Sequence, residues 1–378
     1  MFEIKNINNL EKRIICHIDF DYFFAQCEEN RNPSIKDFPV LVCVFSGRTE
    51  DSGIVSTSNY VARKYGIKSG ISIKLARSRL KNVENVVFLP IDYEYYETIS
   101  NKAFSLILSI SKVINYEIIG LDECFLDLTS ICRNYQEATI LVKDIKNCLV
   151  NKLCLSCSVG ISYNKLLAKI ASEYKKPNGF FIISQNETIQ IISNLDISII
   201  PGIGQKNKKK LNDLGIKTIK ELSEKNITSL KKTFGNNYGE YLHRSSLGIN
   251  EEPINKKTQI KQITRIKTLK QYSDNTENVR SVLLELCKST YSELRHRGLL
   301  FRNVGLIFIN NKLEVTNRSK NLKNYTQNLN DLIDHVDALF LEYLSTHDLF
   351  KLRRIGVKVS ELKKSEGQRT LTNYIENI

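Results

Sequence analysis

The sequence predicts an α+β chain built from several domains, and three observations predict it. Strand-like and helix-like stretches alternate through the first 180 residues, in the manner of a split βαβ unit. Short helices joined by glycine turns follow, and then a strand at 260–269, a helix at 276–296, strands at 303–309 and 312–317, a helix at 326–344 and a strand at 352–359. At 378 residues the chain is too long for one core and divides into two to four domains. An apolar content of 42% is enough to pack them.

Charge separates the two halves. Residues 201–378 hold 32 Lys/Arg against 19 Asp/Glu, whereas residues 1–200 hold 23 against 22. A basic half beside a neutral one is the footprint of a module that tracks phosphates. Charge alone leaves a lysine-rich solvated surface equally open. Nine cysteines at scattered spacings make no metal or disulfide framework. The close pair, Cys154 and Cys157, is expected in a strand, on opposite faces. Reduced thiols point to the cytoplasm. No run of 18 apolar residues or signal core argues for a membrane.

The elements follow in order. Residues 1–13 read as a polar lead-in. The stretch 14–25 (IICHIDFDYFFA) is a strand leading into a short helix that ends near Asn32-Pro33. Strands are expected over 38–46 and 54–58, with a turn over 47–53 and a helix over 59–65. On that helix Tyr60 and Arg63, three apart, share a face. A hydroxyl and a guanidinium aimed at one spot suit a triphosphate, although arginine on a helix is often only solvated. Helical spacing covers 93–113 and 135–151, the strand pair 120–127 lies between them, and a strand covers 153–161. Asn164 opens a further helix, with Lys165 in its first turn, where the helix dipole favours anions.

Asp19 and the pair Asp122-Glu123 are carboxylates within apolar strands. Burying a carboxylate without a partner costs several kcal/mol, so such groups are paired or hold metal. One such acid alone reads as a strand-end group facing water or an arginine. Two stretches together read as a three-carboxylate site for Mg²⁺ if the strands are neighbours. Pro201-Gly202-Ile203-Gly204 before the basic helix 205–214 is a helix-hairpin-helix pattern, shared by several classes of DNA enzyme. Gly202 and Gly204 would let backbone N–H groups reach a phosphate, with Lys206 adding charge. A weaker copy lies at 234–239, and residues 250–260 read as a tether. On the last strand, Ile355, Val357 and Val359 face one way and Arg354 and Lys358 flank Gly356 on the other, a face suited to a phosphate backbone or simply to solvent.

The motifs DFDYFFA (19–25), ARKYGI (62–67) and LDECFLD (121–127) resemble the Y-family translesion DNA polymerases. The resemblance is to the DinB, or DNA polymerase IV, branch of archaeal type, and it runs collinearly from about Ile14 to Leu362. It implies a right-hand polymerase with a ferredoxin-like palm (14–22 and 90–180) and small fingers (23–89). It also implies a helix-hairpin-helix thumb (181–246), a linker (247–260), a βαββαβ little finger (261–362) and a clamp-binding tail (363–378). Asp19, Asp122 and Glu123 would be catalytic and, with the Phe20 carbonyl, hold two Mg²⁺ ions. Phe23, Phe24, Thr57, Tyr60, Arg63 and Lys165 would bind the dNTP, with Phe24 as the steric gate against ribose. Gly120 stands where the family usually has serine, which puts local loop geometry in question. Asp21 and Asp127 read as structural. Gln368, Leu371, Tyr374 and Ile375 resemble a motif that docks on a PCNA-type sliding clamp, with Ile375 in place of the usual second aromatic. The expected partners are primer-template DNA, dNTP and the clamp, for a monomer off the membrane. The rival readings are a helix-hairpin-helix repair nuclease or glycosylase and a non-catalytic clamp-bound scaffold.

Overall fold

The computed structural model describes residues 13–254, 260–269, 276–346 and 352–365. The tail residues Gln368, Leu371, Tyr374 and Ile375 lie outside them. The chain divides into two compact units: one runs to Lys257 apart from Phe45–Gly53, and the other holds that segment and the residues from Thr258 onward.

In the first unit, β1 (Ile15–Phe20) passes through a left-handed Tyr22 (φ 39) into α1 (Phe23–Arg31). Strands β2 (Val40–Phe45), β3 (Gly53–Ser58) and β4 (Val87–Pro90) form a small sheet in the order β3-β2-β4. Helices α2 (Tyr60–Arg63) and α3 (Ile73–Arg79) lie between them in sequence. Next come α4 (Tyr93–Ser111), β5 (Tyr116–Ile119), β6 (Glu123–Asp127), α5 (Tyr135–Leu153), β7 (Cys157–Ser162), α6 (Lys165–Tyr174) and β8 (Phe180–Ile182). The main sheet runs β5-β6-β1-β7-β8, with β1 antiparallel to both its neighbours.

Alternation along β1 gives its two faces different tasks. Cys16, Ile18 and Phe20 enter a core shared with Ala103, Phe104 and Ile107 of α4 and Val142 and Ile145 of α5. Ile15, His17 and Asp19 face the other way. The two helices of the split βαβ unit, α4 and α5, thus lie on one face of the sheet; α6, which follows that unit, covers the second, its Ala168 packing on Ile15 and Phe125. Gly160 of β7 permits this. A Cβ there would stand 2.1 Å from the Ala168 carbonyl oxygen and 2.3 Å from the Ser172 nitrogen. The opposite side of α6 (Leu166, Leu167, Ile170) enters a separate core with the short helices that follow. The strand expected over 153–161 begins only at Cys157. Helix α5 continues its apolar stripe through Leu153, and Cys154 closes it in left-handed conformation (φ 52), so Cys154 is not in a strand.

The short helices are α7 (Thr188–Ile192), α8 (Gln205–Asp213), α9 (Ile219–Ser223), α10 (Ile227–Phe234) and α11 (Asn236–Ser246). Gly202, at φ +86, makes the turn into α8 that a side chain would strain. The turn is pinned by Tyr238, whose hydroxyl donates to the Gly202 carbonyl at 2.9 Å, and by Tyr241, which donates to that of Pro201 at 2.6 Å.

The second unit follows the expected βαββαβ order: β9 (Gln262–Thr268), α12 (Thr276–Arg297), β10 (Leu299–Asn310), β11 (Val315–Thr326), α13 (Leu329–Leu344) and β12 (Leu352–Ser360). The sheet runs β11-β10-β12-β9. Strand β11 is twice the length expected from 312–317. As an edge strand it carries polar residues on both faces, so no apolar alternation marks it. Ile355, Val357 and Val359 are fully buried under the helices, as expected, while Arg354 and Lys358 are half-buried on the opposite face.

Because α6 cannot approach the sheet past a methyl group, Gly160→Ala should destabilise the protein by about 1–3 kcal/mol, the usual range for overpacking. Thermal unfolding of the variant checks this, with a lowered midpoint expected.

Candidate active site

The site grows from the end of β1. Register places Asp19 directly opposite Glu123 of β6 on one side and Ser158 of β7 on the other. The Phe20 N–H donates to the Asp122 carbonyl at 2.8 Å, which ties the Gly120–Asp122 turn to that strand end. Gly120 itself adopts φ +63, a conformation that favours glycine over serine. A Cβ there would meet only Asp122 Oδ1, at an ordinary 3.7 Å. Asp21 is fully buried and hydrogen-bonded through both oxygens: it accepts from Ser158 Oγ (2.7 Å), Ser156 Oγ (3.1 Å) and the Asn178 N–H (2.8 Å). It is structural, as its sequence reading expects, and it fixes the loop 176–179 beside β1. Lys146 grips the other side of that loop through the Asn178 and Gly179 carbonyls. Asp127 likewise stays local, accepting from the Thr129 N–H.

Asp19, Phe20, Phe23, Phe24, Thr57, Tyr60, Arg63 and Asp122 all line one cleft of about 230 Å³. Strands and helices far apart in sequence bring them there. Asn59 caps α2 and anchors it, its amide donating to Glu29 and to the Phe38 carbonyl. Arg63 Nε donates to the Ser58 carbonyl at 3.0 Å, and its guanidinium lies over the Tyr60 ring at 4.7 Å. The Tyr60 hydroxyl is buried with no hydrogen-bond partner, an unmade bond that costs about 1–3 kcal/mol. Phe24 stacks on Tyr96 at 4.5 Å and meets Tyr93 edge-on, and the Tyr96 hydroxyl donates to Glu28. Its ring is therefore held from behind. Tyr22 and Lys176 also line the cleft, and Tyr96 backs it through Phe24. Tyr22 lies inside the DFDYFFA motif without being assigned a role from sequence, and nothing in local spacing ties Tyr96 or Lys176 to the site.

Two expected residues lie elsewhere. Glu123 does not line the cleft: its Oε2 faces Lys169 Nζ and His17 Nε2. Lys165 is a correction. It is buried, its Nζ paired with Glu117 at 2.9 Å and Glu252 at 3.1 Å, while neighbouring Asn164 donates to the Gly248 carbonyl. The C-terminal end of α6 leads to Asp19, and a first-turn lysine sits roughly 15 Å away at 1.5 Å rise per residue. The lysine in the cleft is Lys176, beyond the end of α6, 2.8 Å from Asp19 Oδ1 and also paired with Glu173.

Electrostatics distinguish the three acids. Burial pushes Asp19 up to about 7 against the pull of Lys176. Burial, then the charge of Glu123, raises Asp122. Burial also acts to raise Glu123, but His17 and Lys169 outweigh it and hold that carboxyl at about 2. Among the described residues, no three His, Cys, Asp or Glu side chains converge to hold an ion. The donor chemistry nevertheless fits a hard divalent cation. Asp19, Asp122 and Glu123 offer carboxylate oxygens on paired strand ends, and two of them already face an ammonium group.

Family models match most of the chain. The impB/mucB/samB family matches residues 18–173, its C-terminal domain residues 260–373, and the DNA polymerase-iota thumb domain residues 198–250. The chain thus belongs to the impB/mucB/samB family, the Y-family DNA polymerases. Within it, the chain is 41% identical to the DNA polymerase IV of Nitrosopumilus maritimus, over 97% of this chain and all of that one. It is also 41% identical to that of Saccharolobus solfataricus, over 75% of this chain and 79% of the relative. A chimera of the Y-family polymerases Dbh and Dpo4 superposes with a TM-score of 0.84 at 31% identity, covering 93% of this chain and all of that one. The chain is a DNA-directed DNA polymerase of the translesion type, a class of nucleotidyltransferase that works with divalent metal. Among the described residues no helix is long and apolar enough to cross a membrane.

Lys176→Ala should raise the KM for dNTP several-fold. Lys165→Met should leave that KM unchanged while lowering the unfolding midpoint, because it removes the buried ion pair with Glu117. Steady-state single-nucleotide insertion and thermal melts separate the two lysines.

Proposed function

We propose that the chain binds primer-template DNA and dNTP and adds dNMP units to the primer 3′ end. The observation that carries this is the single cleft shared by Asp19, Asp122, Tyr60, Arg63 and Phe24. Asp19, Asp122, Glu123 and the Phe20 carbonyl would hold two Mg²⁺ ions. When bound, these would acidify the primer 3′-OH and neutralise the departing pyrophosphate. The residues around them do the positioning. Tyr60 donates its unpartnered hydroxyl to the triphosphate, Arg63 and Lys176 balance its charge, and Thr57 borders it. In the transfer the primer 3′ oxygen bonds the α-phosphorus as the bond from that phosphorus to the bridging oxygen breaks. Phe24, backed by Tyr96, stands where a ribose 2′-OH would collide, and Phe23 packs behind it.

The division of labour we infer is a palm at 14–22 and 90–180, fingers at 23–89, a thumb at 181–246, a linker at 247–260 and a little finger at 261–362. The pinned turn at Gly202 and Gly204, with exposed Lys206, offers N–H groups and charge to a DNA backbone. Arg354 and Lys358 offer the same charge on the sheet face of the second unit. Residues 363–378 would dock a PCNA-type clamp through Gln368, Leu371, Tyr374 and Ile375. We read the protein as a cytoplasmic monomer.

Primer extension with single substitutions tests the chemistry. Glu123→Ala and Asp122→Ala should abolish nucleotide transfer while primer-template affinity holds, and near-normal extension by Glu123→Ala contradicts the assignment. Phe24→Ala should incorporate ribonucleotides, since its ring excludes by bulk. If it rejects them as the parent does, the gate is another residue.

A further inference from the structure

We propose that His17 is a positioning residue for Glu123, fixing which carboxylate oxygen that residue presents to metal. The inference rests on the reading of Glu123 as a metal-holding residue. His17 is fully buried in the middle of β1, where the alternate positions are occupied by Ile15 and Asp19. A buried imidazole needs partners for both ring nitrogens. Nδ1 has one, Ser172 Oγ at 2.8 Å. Nε2 closes no hydrogen bond in this geometry, but it faces Glu123 Oε2 at 3.4 Å. The ring cannot turn away, because Phe125 lies against it at 4.5 Å.

The same oxygen receives Lys169 Nζ. With its one proton on Nε2 and Ser172 Oγ donating to Nδ1, the neutral imidazole points its N–H at the oxygen that Lys169 already holds, and Oε1 is the oxygen kept for another partner. Ser172 and Lys169 sit on adjacent turns of α6, and Gly160, the β7 residue paired with His17, lets that helix close on the sheet. One glycine, one serine and one histidine thus set the orientation of a carboxylate that belongs to a different strand. Hydrogen-bonding partners behind metal-holding groups act in this way, by fixing ligand orientation.

The test uses the full chain holding a dideoxy-terminated primer-template and the matching dNTP. Mn²⁺ is titrated in and its free fraction read by electron paramagnetic resonance. His17→Phe keeps the ring and loses both nitrogens, and should raise half-saturating Mn²⁺ about 10-fold. His17→Gln, which returns an N–H near Nε2, should restore most of that. In turnover, His17→Phe should lose kcat at low metal and recover it at high metal with the KM for dNTP unchanged, a pattern that a packing defect does not produce. Parental Mn²⁺ saturation in folded His17→Phe overturns the proposal when Glu123→Ala in the same assay is impaired. If Glu123→Ala also saturates normally, the metal-holding reading of Glu123 falls first and the proposal with it. Should His17→Phe fail to fold, Ser172→Ala takes its place. It removes the Nδ1 anchor and should shift saturation in the same direction, and no shift overturns the proposal.

Discussion

The close seat of α6 on the main sheet is the contact on which the site depends. With the helix in place, the outer face of β1 grades within five residues from an apolar Ile15, through a hydrogen-bonded His17, to the carboxylate of Asp19. Remove the helix and that row would face solvent, leaving nothing to orient Glu123 or to lead Lys176 toward Asp19. Gly160 is the residue that permits the contact, since any side chain there would collide with the helix backbone. The helix is committed on its other side as well, to the core of the short helices, so it cannot relax outward without cost.

Charge follows from that geometry. Two of the three acids are raised by burial and the third is held low by His17 and Lys169, so the acids do not behave alike. Lys169 and Lys176 both come from the α6 end of the site, one on the helix and one just past it. The structural acid Asp21 serves a different end. By accepting from two serines and a loop N–H it holds the 176–179 segment where Lys176 reaches the cleft.

Much of this was legible in the sequence, for physical reasons. A carboxylate in an apolar strand is costly enough to mark itself, and two such strands pointed to a shared site on condition that they are neighbours, a condition that the pairing of Asp19 with Glu123 meets. The βαββαβ order of the second unit was visible because its inward residues alternate cleanly. Strand β11 was cut short because an edge strand with two polar faces has no such signature. Lys165 was misplaced because a lysine in a helix's first turn suits an anion as well as solvent, and the family resemblance favoured the anion. Sequence does not say which end of the helix reaches the site. His17 passed unnoticed because one histidine in an apolar strand looks like any core residue until Ser172 and Glu123 are seen on either side. Lys176 stood in a loop whose placement depends on Asp21, more than 150 residues earlier.

The central claim is that the paired ends of β1 and β6 are a metal-holding catalytic centre. Anomalous scattering from crystals of the full chain with primer-template, dNTP and Mn²⁺ tests it most directly. The account predicts Mn²⁺ peaks bounded by Asp19, Asp122 and Glu123, with Tyr60, Arg63 and Lys176 on the triphosphate. Peaks elsewhere on the protein, or a triphosphate held by Lys165 in place of Lys176, would contradict it.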